Sequence, residues 1–515
     1  MRQDNSSDIY ELFKKCFLKI RHPLLIPALL CSAAALASFK IDFAPEFLII
    51  ISVFLITASF LTKRKLRNFI GFILCITCAF SIKSYYNKIE TAECFKETEI
   101  SGTYLITDLK SESGYQKGNL KIISGSSNII KRGTKISFFS KNSRGLSKGE
   151  IISGKLKIKN GIYRDHPEYS VSQGILYKTF IGNDISISGN NIIYSSADRV
   201  AKYITSLANC YTDKNSSATI LGIMLGDKTG FSEKFSLNIR HSGVSHVMVV
   251  SGMHLAIIMG SFRAIIKKFG LNKYLNFIIS NAFLIFFMAV CGFTQSVMRA
   301  GIMYMILSLA GIFNREGDSI NALSLAVIII LIKTPFAVMN ISFQLSVLST
   351  LGILCSGQTV MKIIRFKSKI LKLISDSALT SVSALLFTLP VVIFRFKEFS
   401  LVSVVTNLLI SYAVTSVLTL MLAAAAISLM PFCRIPLAIL FKILQISADY
   451  INKVVNYLGT RKYSFIECSD KTVCFSLIIL FVFLVCCAGC KYYYIKTNSL
   501  KNEDEKECRL SLKQT

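Results

Sequence analysis

Three of the five histidines in this 515-residue chain fall close together, at His241, His246 and His254. The stretch reads Arg240-His241-Ser242-Gly243-Val244-Ser245-His246 and continues through Val250-Ser251-Gly252-Met253-His254. On a continuous helix His246 and His254 lie about two turns apart and share a face, with Ser251 beside it. Ionisable groups inside an apolar segment are costly and usually face a cavity or a pathway. A metal centre needs further ligands, yet the nearest acids, Asp227 and Glu233, stand upstream in a polar connection. The spacing matches no zinc signature, so no metal is expected. A hydrolytic reading pairs Ser251 with His254, but it needs nucleophile and base facing each other beside an oxyanion hole. Two positions three apart on one helix rarely meet in that way. Gly243 and Gly252 are read as structural glycines that let another backbone, or a strand of substrate, approach. Three further polar positions interrupt apolar stretches: Arg299, Gln344 and Asn407. Singly, each is explained by an interhelical hydrogen bond worth about 1 kcal/mol.

The elements that must position these residues are membrane elements. The chain is 52% hydrophobic and 17% charged, with a mean hydropathy of +0.52; soluble domains carry about 25% charge. The apolar residues cluster into runs that approach the roughly 20 residues a spanning helix requires. Runs at Pro23–Phe39, Glu46–Leu61 and Asn68–Ile82 read as spans, the first retained rather than cleaved as a signal peptide. The formal net charge is +29, and basic residues crowd into short connections such as Lys63–Arg67 and Lys362–Lys372. That bias marks cytoplasmic loops, placing both termini inside and the segment 83–197 outside. Charge therefore serves topology first and nucleic acid second.

Segment 83–197 loses the long apolar runs. Strand-like stretches at Gly102–Asp108, Asn119–Ile123, Thr134–Phe139, Glu150–Ile158 and Ile175–Ile181 predict a small OB-like β-barrel, with Ser111–Gly118 as a turn. Tyr104, Phe138 and Tyr163 are core aromatics or, in the alternative, base-stacking platforms. After it come the helical Asp198–Cys210, a short interfacial or re-entrant stretch Ser217–Gly226, and about nine spans beginning with Val244–Ile266. The fold expected is a polytopic α-helical membrane protein of about 12 spans with an inserted extracytoplasmic barrel. Its divisions are 1–82, 83–197, 198–490 and a charged cytoplasmic tail 491–515. Most of the 15 cysteines lie in apolar runs and read as small hydrophobes, the Cys75–Cys78 pair included. No Gly-rich nucleotide loop ending in Lys-Ser/Thr occurs, so no nucleotide or other cofactor is expected.

Taken together these stretches resemble the membrane core of the ComEC family of competence proteins. Leu221-Gly222-Ile223-Met224-Leu225-Gly226-Asp227 is similar to its leucine-glycine-aspartate segment, and Ile239–Ile258 to its serine-histidine and Ser-Gly-x-His stretch. Ser296-Val297-Met298-Arg299-Ala300, Phe343-Gln344-Leu345-Ser346 and Pro390–Phe399 with Asn407 follow in the family's order. Lys148-Gly149-Glu150 and His166-Pro167 resemble its final barrel strands, although Glu168 replaces the usual glycine. The resemblance implies an inner-membrane channel for single-stranded DNA rather than an enzyme. Arg240, His241, His246, Ser251, His254, Arg299, Gln344 and Asn407 are the pore-lining candidates. Many members add a metallo-hydrolase domain; here no histidine follows His254, so a separate nuclease is expected. A separate ATP-driven motor is expected too, among membrane lipids and in a form that leaves homo-oligomers open. An intramembrane serine hydrolase and a transporter of small solutes or lipids are the alternatives.

Overall fold

The computed structural model describes residues 24–38, 65–357, 368–430 and 434–484, apart from positions 96, 113, 126–129, 142–144, 163–166, 183–184, 462, 470–471, 474 and 481. The expected span Glu46–Leu61, the tail 491–515, Tyr163 and most of the basic loop Lys362–Lys372 lie outside the described residues.

Two helices come first, α1 (Leu25–Ser38) and α2 (Lys65–Glu93). Helix α2 holds the expected span Asn68–Ile82 and runs on past it toward the barrel. The barrel strands are β1 (Thr98–Glu112), β2 (Tyr115–Ser124), β3 (Lys135–Ser140), β4 (Glu150–Asn160) and β5 (Ile175–Ile181), with a short helix α3 (Pro167–Ser172) between β4 and β5. The strand order β1-β2-β3-β5-β4 closes through a β1–β4 pairing, and β6 (Ser186–Asn190) adds to β4 outside the closure. Among the described residues only the β3–β5 pair is parallel. This closed five-strand barrel fits the OB-like expectation.

Alternation explains the closure. Ile136 and Phe138 of β3, Ile152, Leu156 and Ile158 of β4, and Leu120 and Ile122 of β2 are buried, as a two-residue period demands. Strand β1 pairs on both edges, with register shifts at Thr103/Tyr104 and Ile106/Asp108; such bulges bend a strand sharply. The expected turn at Ser111–Gly118 is instead the tip of a long hairpin, with β1 reaching Glu112 and β2 starting at Tyr115. Cross-strand pairing there outweighs the turn-favouring composition. Tyr104 and Phe138 are fully buried, and the Tyr104 hydroxyl donates to the Ile100 carbonyl at 2.7 Å. They are core, not stacking platforms.

The remainder is helical. It comprises α4 (Ile192–Tyr211), α5 (Lys214–Leu225), α6 (Glu233–His241), α7 (Gly252–Lys267), α8 (Lys273–Val290), α9 (Gln295–Ile312) and α10 (Ser319–Lys333). A 3₁₀ turn at Pro335–Met339 leads to α11 (Ile341–Gly352), α12 (Lys369–Phe396), α13 (Ser403–Ile427) and α14 (Arg434–Gly459). A small hairpin joins β7 (Glu398–Ser400) to β8 (Phe465–Glu467). Among the described residues five helices are long and apolar enough to cross a membrane: α8, α9, α12, α13 and α14. Shorter apolar helices are Ser319–Lys333, Ile341–Cys355 and Phe475–Leu484. The described residues thus carry five such spans against about 12 expected.

The largest departure concerns Val244–Ile266. Helix α7 starts only at Gly252, and residues 242–251 form turns and irregular chain. Gly243 takes φ +76° and Ser251 ends the segment in an extended conformation. Local glycine and serine preferences override the apolar run. His246 and His254 therefore share no helical face.

Barrel and helices meet at one end of the core. The Lys148 ammonium donates to the Ala289 carbonyl at 2.7 Å, in the last turn of α8, where a cation complements the helix dipole. Gly149, at φ +94°, packs so closely on Ser195 of α4 that a Cβ would sit 2.4 Å from its nitrogen. Glu168 pairs with Arg395 at 3.2 Å.

Candidate functional site

The irregular segment is pinned by apolar side chains: Val244, Val247, Met248 and Val250 are all buried. At its start a Cβ on Gly243 would meet Ser403 at 2.4 Å and Ser400 at 2.9 Å, so the turn needs both glycine's dihedrals and its lack of bulk. Between the anchors Ser245 and His246 are exposed. His246 lies within hydrogen-bonding reach of the Asn407 side chain and the Gly243 backbone. Asn407 in turn donates from Nδ2 to Ser381 Oγ of α12 at 2.7 Å.

Ser251 is the N-cap of α7. Its backbone N–H donates to His254 Nδ1 at 2.9 Å, while its hydroxyl receives the His254 N–H at 3.5 Å, a reciprocal capping box. Accepting at Nδ1 puts the proton of a neutral ring on Nε2. That atom is buried and has no hydrogen-bond partner among the described residues. Ser251 Oγ and His254 Nδ1 are 3.1 Å apart. The two side chains do meet, against the expectation from a helical i,i+3 spacing, because Ser251 stands outside the helix. A serine hydrolase is nevertheless not favoured. The Nδ1 lone pair is already taken by a backbone N–H, so it is not free to draw the proton from the Ser251 hydroxyl.

Arg299, in the second turn of α9, is 4% exposed. Its Nε donates to Ser346 Oγ at 2.9 Å and one terminal nitrogen to Met303 Sδ at 3.1 Å. Ser346 also pairs with Ser296 at 2.9 Å. The other terminal nitrogen lies 2.8 Å from where a Cβ on Gly252 would be, so the guanidinium rests on the first residue of α7. No carboxylate pairs with Arg299 among the described residues.

His246, Ser251, His254, Arg299 and Asn407 thus come together around the start of α7. The other candidates do not join them. Arg240 Nε pairs with Glu398 at 3.1 Å, and His241 stacks on Phe465 at 3.9 Å, fixing α6 to the β7–β8 hairpin. Gln344 turns back to the Val338 carbonyl at 2.8 Å and ties the 3₁₀ turn to α11. Ser346, within the same polar stretch as Gln344, is the residue that reaches Arg299.

A second polar feature was not foreseen. Gln445, Asp449, Asn452 and Asn456 recur at spacings of 4, 3 and 4 along α14, which is one helix face. Gln445 donates to Asp213 at 2.9 Å, Ser216 to Asp449, Thr219 to Asn452 at 2.6 Å, and Asn238 to Asn456 at 2.8 Å. An acid inside an apolar helix was the available signal. This ladder clamps α5 and α6, and with them the approach to the irregular segment.

Residues 223–491 match a family model described as competence protein. The chain is 24% identical over 208 residues to ComE operon protein 3 of Bacillus subtilis (strain 168). That match covers 40% of this chain but 26% of the relative, so the alignment spans about a quarter of the relative's length. No solved structure matches.

Proposed function

The chain belongs to the competence-protein family, and from that premise we propose that it forms an inner-membrane conduit that imports single-stranded DNA during natural transformation. The observation carrying this reading is the non-helical segment 242–251 set among spanning helices. Irregular backbone persists at membrane depth only where protein buries it or where it lines a water-filled cavity. The buried anchors Val244, Val247, Met248 and Val250 supply the first condition, and exposed Ser245 and His246 supply the second.

The charge at the site selects an anion. Arg299 rests against the N-terminus of α7, the positive end of that helix. Like signs at a helix end cost on the order of 0.3–1 kcal/mol, and an anion nearby relieves that cost. Arg299 is buried beneath the start of α7 with its nitrogens on Ser346, Met303 and Gly252, so it acts on a passing phosphodiester through its charge rather than through direct hydrogen bonds. A single guanidinium, not a cluster, keeps binding weak enough for exit. His246 and Asn407 add neutral donors. The barrel, docked over the same end of the core through Lys148 and Glu168, receives the strand outside. Motor and nuclease are separate proteins in this reading, the chain itself is not an enzyme, and both termini face the cytoplasm.

Uptake of labelled DNA by a deletion strain tests the proposal. Uptake should vanish, return with the wild-type gene, and return only in part with Arg299→Gln. Ser251→Ala should give a graded loss, where a hydrolase would lose everything. Normal uptake in the deletion strain would sink the conduit.

A further inference from the structure

A groove of about 330 Å³ opens between α2 and the end of α10. Lys88, Lys333, Ser81 and Ser84 line it together with the rings of Phe80 and Tyr85. No carboxylate lines it. Lys88 leans toward the Tyr85 ring at 6.0 Å, and neither Lys88 nor Lys333 forms an ion pair among the described residues. Lys135 of the barrel lies close enough to Lys333 for their charges to interact, which raises the positive potential further.

The groove is amphiphilic along its length. Ile73, Thr77, Phe80, Ser84 and Lys88 recur every three or four residues on one face of α2, so one stripe runs from apolar to cationic. From Ile73 to Lys88, 15 helical rises, it spans about 22 Å, comparable to an extended acyl chain with its headgroup. Ile73 and Phe80 on it are 46% and 69% exposed. The cationic end coincides with Tyr85 and Tyr86, which follow the apolar run as aromatic residues do at a headgroup boundary. A nucleic-acid groove has no use for exposed apolar side chains laid along α2 beside its cationic end; an anionic amphiphile does.

We propose that this groove holds the phosphate headgroup of one anionic phospholipid from the leaflet on the barrel's side, between Lys88 and Lys333, with an acyl chain laid along Phe80 and Ile73. The Ser81 and Ser84 hydroxyls add donors to the phosphate oxygens. The bound lipid fills the seam where α2, α10 and the barrel meet, a role independent of DNA transport.

The test uses the full chain in mild detergent with phosphatidylglycerol or phosphatidylcholine, counting retained lipid by native mass spectrometry. Each lysine near an anionic headgroup contributes about fivefold in affinity, so Lys88→Gln with Lys333→Gln should weaken phosphatidylglycerol retention about 25-fold and leave phosphatidylcholine unchanged. Ser84→Glu, at an exposed position, should repel the same lipid without touching the lysines and serves if the double variant fails to fold. Lys157→Gln with Lys159→Gln is the control, since those lysines pair with Glu99 and Glu97 on the barrel surface. Wild-type retention in both groove variants, or equal loss in the control, overturns the proposal. So does displacement of the lipid by millimolar inorganic phosphate, which marks a free-phosphate site. Loss of single-stranded oligonucleotide binding with lipid retention intact overturns it as well, and makes the groove a nucleic-acid patch.

Discussion

Replacing Gly252 with alanine isolates the contact between α7 and Arg299. The backbone of Gly252 is not left-handed, so alanine fits the local conformation. Helix propensity alone favours it by up to about 1 kcal/mol, and by less in a first turn. Against this, the new Cβ would sit 2.8 Å from a terminal nitrogen of Arg299 and 3.4 Å from Ala300 Cβ. A comfortable separation is about 3.5 Å, so the guanidinium retreats by roughly 0.7 Å. Its Nε bond to Ser346, now 2.9 Å, then stretches to the limit at which a hydrogen bond no longer counts. A hydrogen bond to a charged group is worth about 1.5–3 kcal/mol. The steric term wins, for a net loss of about 1–2 kcal/mol. Thermal unfolding of the purified full chain in detergent reads this, and a cycle with Arg299→Lys apportions it. Lysine lacks the crowded nitrogen, so Gly252→Ala should cost about 1–2 kcal/mol less in that background. A neutral or stabilising Gly252→Ala, or an equal cost in both backgrounds, would refute the placement of Arg299 on α7.

Lys148→Met removes the barrel's charge-assisted bond to the Ala289 carbonyl, which keeps its bond from the Gly292 N–H at 3.1 Å; the loss should destabilise the chain by about 1.5–3 kcal/mol and speed proteolysis between barrel and core. Burial pushes the Lys148 ammonium below its ordinary value of 10.5, with Asp108 and Asp198 opposing. The folded chain then binds fewer protons than the unfolded one just below pH 10.5, so stability rises as pH approaches that value; melting curves of Lys148→Met across pH should show a shallower rise. Asp449→Asn keeps an acceptor for Ser216 and should melt near wild type, whereas Asp449→Leu should lose about 0.6–1.7 kcal/mol. Gly118→Ala forces a Cβ to within 2.0 Å of the Asp108 carbonyl oxygen, a backbone atom that cannot yield. It should therefore open the β1–β2 hairpin, visible as faster amide exchange across Ile106–Leu120.

The sequence made the periodic parts of the fold legible. Two-residue alternation located all five barrel strands, and the long apolar runs located α8, α9, α12, α13 and α14. It misjudged places where a few polar or glycine residues overrule the average. Val244–Ile266 is apolar enough to read as one helix, yet Gly243 and Ser251 fix dihedrals that stop a helix at both ends of 242–251. The same cause moved the site residues. Residue types and spacing put His246, Ser251 and His254 on one helical face that does not exist, and gave Arg299 and Asn407 only as separate interhelical hydrogen bonds; the turns of 242–251 bring the five together. Arg240, His241 and Gln344 carry the same polar signal, and only their partners Glu398, Phe465 and Val338 show them to be braces.

That division bears on how a conduit can be both stable and permissive. A histidine pair on a continuous helix would keep every backbone group bonded within the helix and leave only side chains to meet a substrate. The broken segment instead leaves the first N–H groups of α7 without intrahelical partners, and Ser251 and His254 cap only part of them. Stability is supplied a layer away, by the four buried anchors, the Arg240–Glu398 brace and the Asp449 ladder. The polar groups buried beside it can then stay under-satisfied, as Arg299 is, which pairs with no carboxylate among the described residues. A site whose hydrogen bonds were all made internally would have nothing to offer a passing phosphate.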